Sequence, residues 1–244
     1  LSLALRDLGR PGEADRALAE AFGPLRQADD KPSLARATSY RALAEIERGH
    51  FAGIEGTVRE LEEVATSSGS TEPLALAEQV AGELAFAQHE FSPARRHLEE
   101  AARLIRGTSE ADSVVELEVR IAEVVLAAGD PGEAVRLAEA AIAPLRGHGE
   151  RSILVLGESL LVRIAAASGD LEAARRRLST LPESAASSPS CRVRIAYLRA
   201  RAAIFRRSGD SAAARQDFDA AVGVAKMAEW IETGRRLRQE AQER

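Results

Sequence analysis

The residues able to do chemistry in this chain are few: four histidines, one cysteine and some short charged runs. His50, His89, His97 and His148 stand alone, none at metal-ligand spacing from a cysteine or a second histidine. His89 occupies a chain reversal and His97 the face of a helix, so both read as solvent-facing. The pair Asp29–Asp30 suits turn and cap duty. "GHGE" (147–150) lacks the strand and the Lys/Ser partners of a phosphate-binding loop, and no Ser occurs in a G-x-S-x-G setting. Cys191 is followed by Arg192 and Arg194 near a helix start, a setting that can lower a thiol pKa; the alternative reading is a small core residue. "ARRRL" (174–178) and "GRRLRQ" (234–239) interleave bases with apolar residues, the pattern of solvated helix faces. No catalytic constellation emerges, so the expectation is a non-enzyme with no catalytic residue, cofactor or metal site, whose function lies in its surface.

The 244 residues are 45% hydrophobic and 29% charged, which excludes a disordered chain, and only 4% aromatic. Ala, Leu, Glu and Arg dominate and favour helix, with little that favours strands. A net charge of -5 argues against general nucleic-acid binding. A lone cysteine forbids an internal disulfide and fits a reducing, cytoplasmic compartment. No apolar run approaches the roughly 20 residues that cross a bilayer. The sequence begins at Leu1 with neither an initiator Met nor a signal peptide, and the expectation is a fragment of a longer cytoplasmic protein.

The elements that would position a binding surface follow from one stretch, "AAGDPGEAVRLAEAA" (127–141). Gly129 can close a helix in the left-handed conformation, Asp130 can cap the next, Pro131 fits its first turn, and Glu133 stands at capping-box spacing. Similar corners have pivots at Gly9, Gly49, His89, Gly169 and Gly209, so successive pivots lie 40 residues apart, the mark of a repeat array. Five residues after the pivots stand Ala14, Ala94, Ala134, Ala174 and Ala214, with Ile54 the exception; seven before stand Ser2, Ala42, Gly82, Ala122, Val162 and Ala202. Small residues there let two helices approach closely. Each unit reads as helix A, a corner, helix B and a polar loop. A helices are expected near 33–48, 72–88, 112–128, 152–168 and 190–208, and B helices near 11–27, 51–67, 92–106, 131–146, 171–181 and 211–227. Asp30, Thr71, Ser109, Ser152 and Ser188 are the expected N-caps of the A helices.

This pattern resembles the tetratricopeptide repeat, with units about six residues longer than its usual 34 or so. Gly129, Asp130, Ala134 and Ala141 carry the resemblance, as do Gly209, Asp210, Ala214, Phe218 and Ala221. The longer unit is similar to the MalT-like arrays of bacterial transcription regulators. The family's mid-helix-A aromatic survives only as Phe205. The resemblance implies an all-α, right-handed solenoid over residues 1–244, with residues 229–244 as a terminal half-repeat or capping helix. It implies a protein- or peptide-binding scaffold, the sensor or regulatory region of a larger signalling or transcription protein. The alternative is a structural or oligomerisation array, with Leu1, Leu3, Leu5 and Leu8 making the N-terminal edge prone to self-association. The family's concave face maps onto Arg36, Ser39, Leu43, Gln79, Glu83, Phe86, Glu116, Val119, Glu123, Ser159, Arg163, Arg199, Arg206 and Arg207. That face is acidic in the middle and basic toward the C-terminus, as would suit a segment with opposite charge at its two ends. No membrane contact and no direct nucleic-acid contact are expected.

Overall fold

The computed structural model describes residues 1–107, 111–146 and 152–242. Among them the chain is helical with no strand. A short α1 (Ser2–Asp7) is followed by α2 (Pro11–Gln27), α3 (Lys31–Glu47), α4 (Ile54–Ser68), α5 (Thr71–Ala87) and α6 (Phe91–Ile105). Then come α7 (Ala111–Ala127), α8 (Pro131–Ile142), α9 (Ser152–Ala167) and α10 (Leu171–Leu178). The chain ends with α11 (Cys191–Arg207), α12 (Ser211–Met227) and α13 (Ile231–Gln242). The odd-numbered helices from α3 to α11 are the A helices, and α2 to α12 of even number are the B helices.

The corners work through backbone geometry. Gly129 has φ 93°, and its N–H donates to Leu126 O at 3.0 Å while Asp130 N–H reaches Val125 O at 3.2 Å. This paired reversal satisfies carbonyls that a helix end leaves orphaned. Gly9, Gly49, His89, Gly169 and Gly209 take the same left-handed conformation, with φ from 63° to 86°. Asp130, Asp170 and Asp210 then cap the next helix, accepting from Glu133, Ala173 and Ala213 N–H at 2.9–3.0 Å. Glu133 does not close a capping box: its carboxylate turns to Arg136 and Arg95, and the Asp130 N–H is already used by the corner.

Several boundaries depart from the sequence reading, each for a local reason. The fourth helix starts at Ile54 rather than near 51, after Gly53 at φ 85°. Helix α8 stops at Ile142 and passes into a 3₁₀ turn, Ala143–Leu145, because Pro144 lacks the N–H an α-helix would use. Helix α10 stops at Leu178, ahead of Pro182, which disfavours helix in the residue before it. Among the caps, Asp30 accepts from Ser33 N–H at 3.1 Å as expected. Ser70 and Ser190 cap in place of Thr71 and Ser188, accepting from Glu72 and Val193 N–H. Ser152 is the first residue of α9, and Ser109 lies outside the described residues.

The A–B contacts are close. Ala14, Ala94, Ala134 and Ala174 are fully buried, as are Ala122, Val162 and Ala202 on the facing positions. Gly82 replaces that residue in α5 because a Cβ there would meet Leu98 Cγ at 2.7 Å. The array bends until its ends touch. Arg48, after α3, bonds Glu229 at 2.9 Å; Thr233 Oγ1 donates to Glu47 at 3.0 Å; Arg192 N–H donates to Asp7 at 3.0 Å. Gly9 lies against the side chains of Met227 and Cys191.

Candidate functional site

The curvature leaves a lumen lined by the A helices, a cavity of about 680 Å³. A cavity of this size suits a compact ligand or a short chain segment. Its walls are aliphatic, from Leu43, Leu76, Val119, Leu156, Leu160 and Ile195, with Trp230 from the turn before α13. Trp230 is the sole tryptophan of the chain. At the rim, Arg36 pairs with Glu72, and Arg192 with Glu116.

The floor is a charged layer. Arg120 on α7 grips Glu83 on α5 through two hydrogen bonds and pairs with Glu123 at 2.7 Å. Glu123 also meets Arg163 on α9 at 3.3 Å and Arg199 on α11 at 3.0 Å. Glu240 on α13 pairs with Arg199 and, at 3.4 Å, with Arg163. Helix α13 therefore reaches across the lumen, from Glu47 beside Thr233 to Arg163 and Arg199 beside Glu240. Phe86 is buried beneath two guanidinium groups, Arg120 at 4.4 Å and Arg236 at 4.8 Å from the ring centroid.

Burial acts on all these charges. It pushes the Glu123 carboxyl up, but the charges of Arg120, Arg199, Arg163 and Arg236 outweigh it and hold the group well below the usual carboxylate range. For Glu240 too, burial is outweighed by Arg199 and Arg163. Burial and the neighbouring Arg199 hold Arg163 below its ordinary value; burial and Arg120 do the same to Arg236.

Ten of the fourteen concave positions expected from sequence line this lumen: Arg36, Leu43, Gln79, Glu83, Glu116, Val119, Glu123, Ser159, Arg163 and Arg199. Four do not. Ser39 is fully buried and donates to Arg36 O. Phe86 sits beneath the floor, under the Arg120 and Arg236 guanidinium groups. Arg206 lies near the Phe218 ring and donates to the backbone carbonyl of Glu240 at 2.6 Å, and Arg207 lies against Gly169. The acidic middle and the basic C-terminal end of the lumen are thus paired with each other and with α13.

Arg120, Trp230, Arg236 and Glu240 are lumenal or floor residues that the repeat register did not select. Arg120 had a visible signal: its repeat equivalents 40 or 80 residues away, Val80, Leu160 and Ala200, are buried apolar residues, so an arginine in that register needs carboxylate partners, here Glu83 and Glu123. The run Gly234–Gln239 is not simply a solvated face, because Arg236 turns inward. Likewise Arg177 of "ARRRL" is tied to Glu139 and Glu158. Cys191 is fully buried, and burial, with Asp7, pushes its thiol up rather than activating it; it is a core residue against Gly9. His97, half-buried, has Nδ1 2.7 Å from Glu78 and so ties α6 to α5, while His50 is exposed beside Glu45. His148 lies outside the described residues. Among the described residues no group of His, Cys, Asp or Glu could hold a metal ion.

Comparison with known proteins agrees with the architecture. The family model of the MalT-like TPR region matches residues 6–238, and the chain belongs to that family. Among solved structures it is similar to the TPR-like repeats of a putative kinesin light chain from Podosopora anserina. That likeness has a TM-score of 0.52 at 20% identity, over 87% of this chain and 99% of that one. A point variant of the same repeats gives a TM-score of 0.53 at 20% identity, over 86% of this chain and 97% of that one. At this identity the likeness shows the fold alone. No curated protein matches the sequence. The chain is a helical repeat scaffold of a kind that generally binds proteins, and no helix among the described residues is long and apolar enough to cross a membrane.

Proposed function

We propose that the chain is the ligand-sensing part of a larger cytoplasmic signalling or transcription-regulatory protein, and that it takes a protein or peptide segment in the lumen. The observation that carries this is the cavity of about 680 Å³ with aliphatic walls and a floor of paired charges. Ten of the concave positions line it, and their side chains come from five different helices, so an occupant would touch most repeats at once. In this reading α13 serves as the terminal half-repeat, and residues 1–244 act as one unit. Selection of peptides from a random library against the protein tests the site. Binding of the selected peptides should be lost in Leu76→Arg and Leu156→Arg, which place a charge on the lumen wall. Retained binding in both variants would place the peptide site elsewhere.

A second reading, self-association, has its own observation. The large hydrophobic residues that stay exposed are Leu1, Leu3, Leu8, Met227 and Ile231, all at the two ends of the array, where Gly9 meets Met227. Such patches mark contact surfaces. Sedimentation velocity of the protein and of Leu1→Glu/Leu8→Glu decides: a concentration-dependent dimer lost in the variant supports this role, and a strict monomer removes it.

A further inference from the structure

The lumen has unmet hydrogen-bond donors. Arg6 on α1 lines the cavity, yet its side chain is only 6% exposed. Its closest carboxylate, Asp15, stands at 3.5 Å, and neither Nη1 nor Nη2 makes a hydrogen bond. Leaving a buried donor unpaired is costly, and more so for a charged group. Arg236 lines the cavity from α13, with no carboxylate within ion-pair distance among the described residues; its contacts are the Phe86 ring and, at 3.3 Å, Thr233 Oγ1. Ser159 Oγ, also in the lining, is buried without a partner. Glu47, in the same lining, is the acceptor already present, and Thr233 donates to it. The lining also carries aliphatic surface from Leu76, Val119, Leu156 and Ile195, between the paired charges of the rim and the floor. Unpaired donors and aliphatic surface in one lumen describe an occupant that is apolar along its body and rich in acceptors at one tip.

We propose that the lumen binds an amphipathic carboxylate, its acid group received by the guanidinium groups of Arg6 and Arg236, and its apolar body lying along Leu76, Val119, Leu156 and Ile195. This rests on the lumen being the binding site and goes beyond the peptide reading by naming a second class of occupant, a small amphipathic acid. The carboxylate brings acceptors for the two arginines, which already share Glu47 as a neighbouring negative charge. The alkyl body replaces water against the aliphatic walls. Glu83, Glu123 and Glu240 already occupy Arg120, Arg163 and Arg199, so the head group is left to the two arginines with free donors.

The sole tryptophan gives the readout. Decanoate, decan-1-ol and decyltrimethylammonium, each below its aggregation concentration, are titrated into the full chain while Trp230 fluorescence is followed. Decanoate should bind at least about tenfold more tightly than decan-1-ol, the factor expected for a hydrogen bond to a charged group. The cationic probe should bind weakest. The preference for decanoate over decan-1-ol should fall in Arg236→Gln and persist in Arg236→Lys. Equal affinity for decanoate and decan-1-ol in the unmodified protein would overturn the acid inference while leaving the lumen as an apolar site. No fluorescence response and no rise in melting temperature with any of the three would overturn this inference, while the peptide reading stands or falls with the peptide selection. The comparison among probes on the unmodified protein needs no variant to fold.

Discussion

Ala122 and Glu123 are neighbours on α7 and face different worlds. Ala122 is fully buried against α8, where Ala134 and Ala138 are equally enclosed. Glu123 faces the lumen and meets three arginines from α7, α9 and α11. The first contact is held by shape: nothing there titrates, and the space admits only small residues. The second is held by charge, between groups partly withheld from water, two of them, Arg163 and Arg199, distant from Glu123 in sequence. One helix thus joins its partner through packing and joins the rest of the array through electrostatics. The two should respond differently to mutation and to pH.

The largest expected effect breaks the charged side. Glu123→Ala leaves three arginines short of a partner and should cost about 3–5 kcal/mol in urea unfolding, the usual penalty for removing one member of a buried ionic group. Its pH dependence follows from the lowered carboxyl. The folded group ionises at lower pH than the unfolded one, whose ordinary value is 4.5. Its contribution is therefore complete above that value and is lost as pH falls through the lower folded value. Glu123→Gln should flatten the acid limb of the stability curve; an unchanged acid limb would remove Glu123 as its source.

On the packing side, Ala134→Leu and Ala174→Leu should each cost about 1–3 kcal/mol through overpacking. That cost should be the same at pH 4 and pH 7, unlike the loss from Glu123→Gln, and parallel urea melts at the two pH values check it. Smaller still is the corner. Asp130→Ala removes the acceptor for the Glu133 N–H and should cost about 1 kcal/mol by thermal or urea melting. Smallest is His89, at φ 63° the non-glycine among the six pivots. His89→Gly should gain about 0.5 kcal/mol, the relief of left-handed strain less the entropy that glycine adds to the unfolded chain. A loss of stability would show that the edge contact of His89 with Phe91, 6.0 Å between ring centroids, outweighs the strain.

What the sequence determined by itself is the local frame. Five of the six pivots adopt the left-handed conformation because glycine tolerates it, Asp130, Asp170 and Asp210 cap because a short carboxylate reaches the next free N–H, and the small residues that stand five after and seven before most pivots are buried because helices in contact leave no room for more. These interactions run between residues close in the chain, so spacing alone reveals them, and the same register placed ten of the fourteen concave positions on the lumen. The curvature belongs to the tertiary structure. Small rotations between neighbouring helices add up over the array until Arg48 meets Glu229 and Asp7 meets Arg192, and no single repeat encodes that sum. Only that closure carries α13 across the lumen, pairs Glu240 with Arg163 and Arg199, and brings Arg6 and Arg236, 230 residues apart in sequence, to the wall of one cavity. The net charge of the concave face could be read in advance; its pairing could not, because it depends on which helices the bend sets opposite one another.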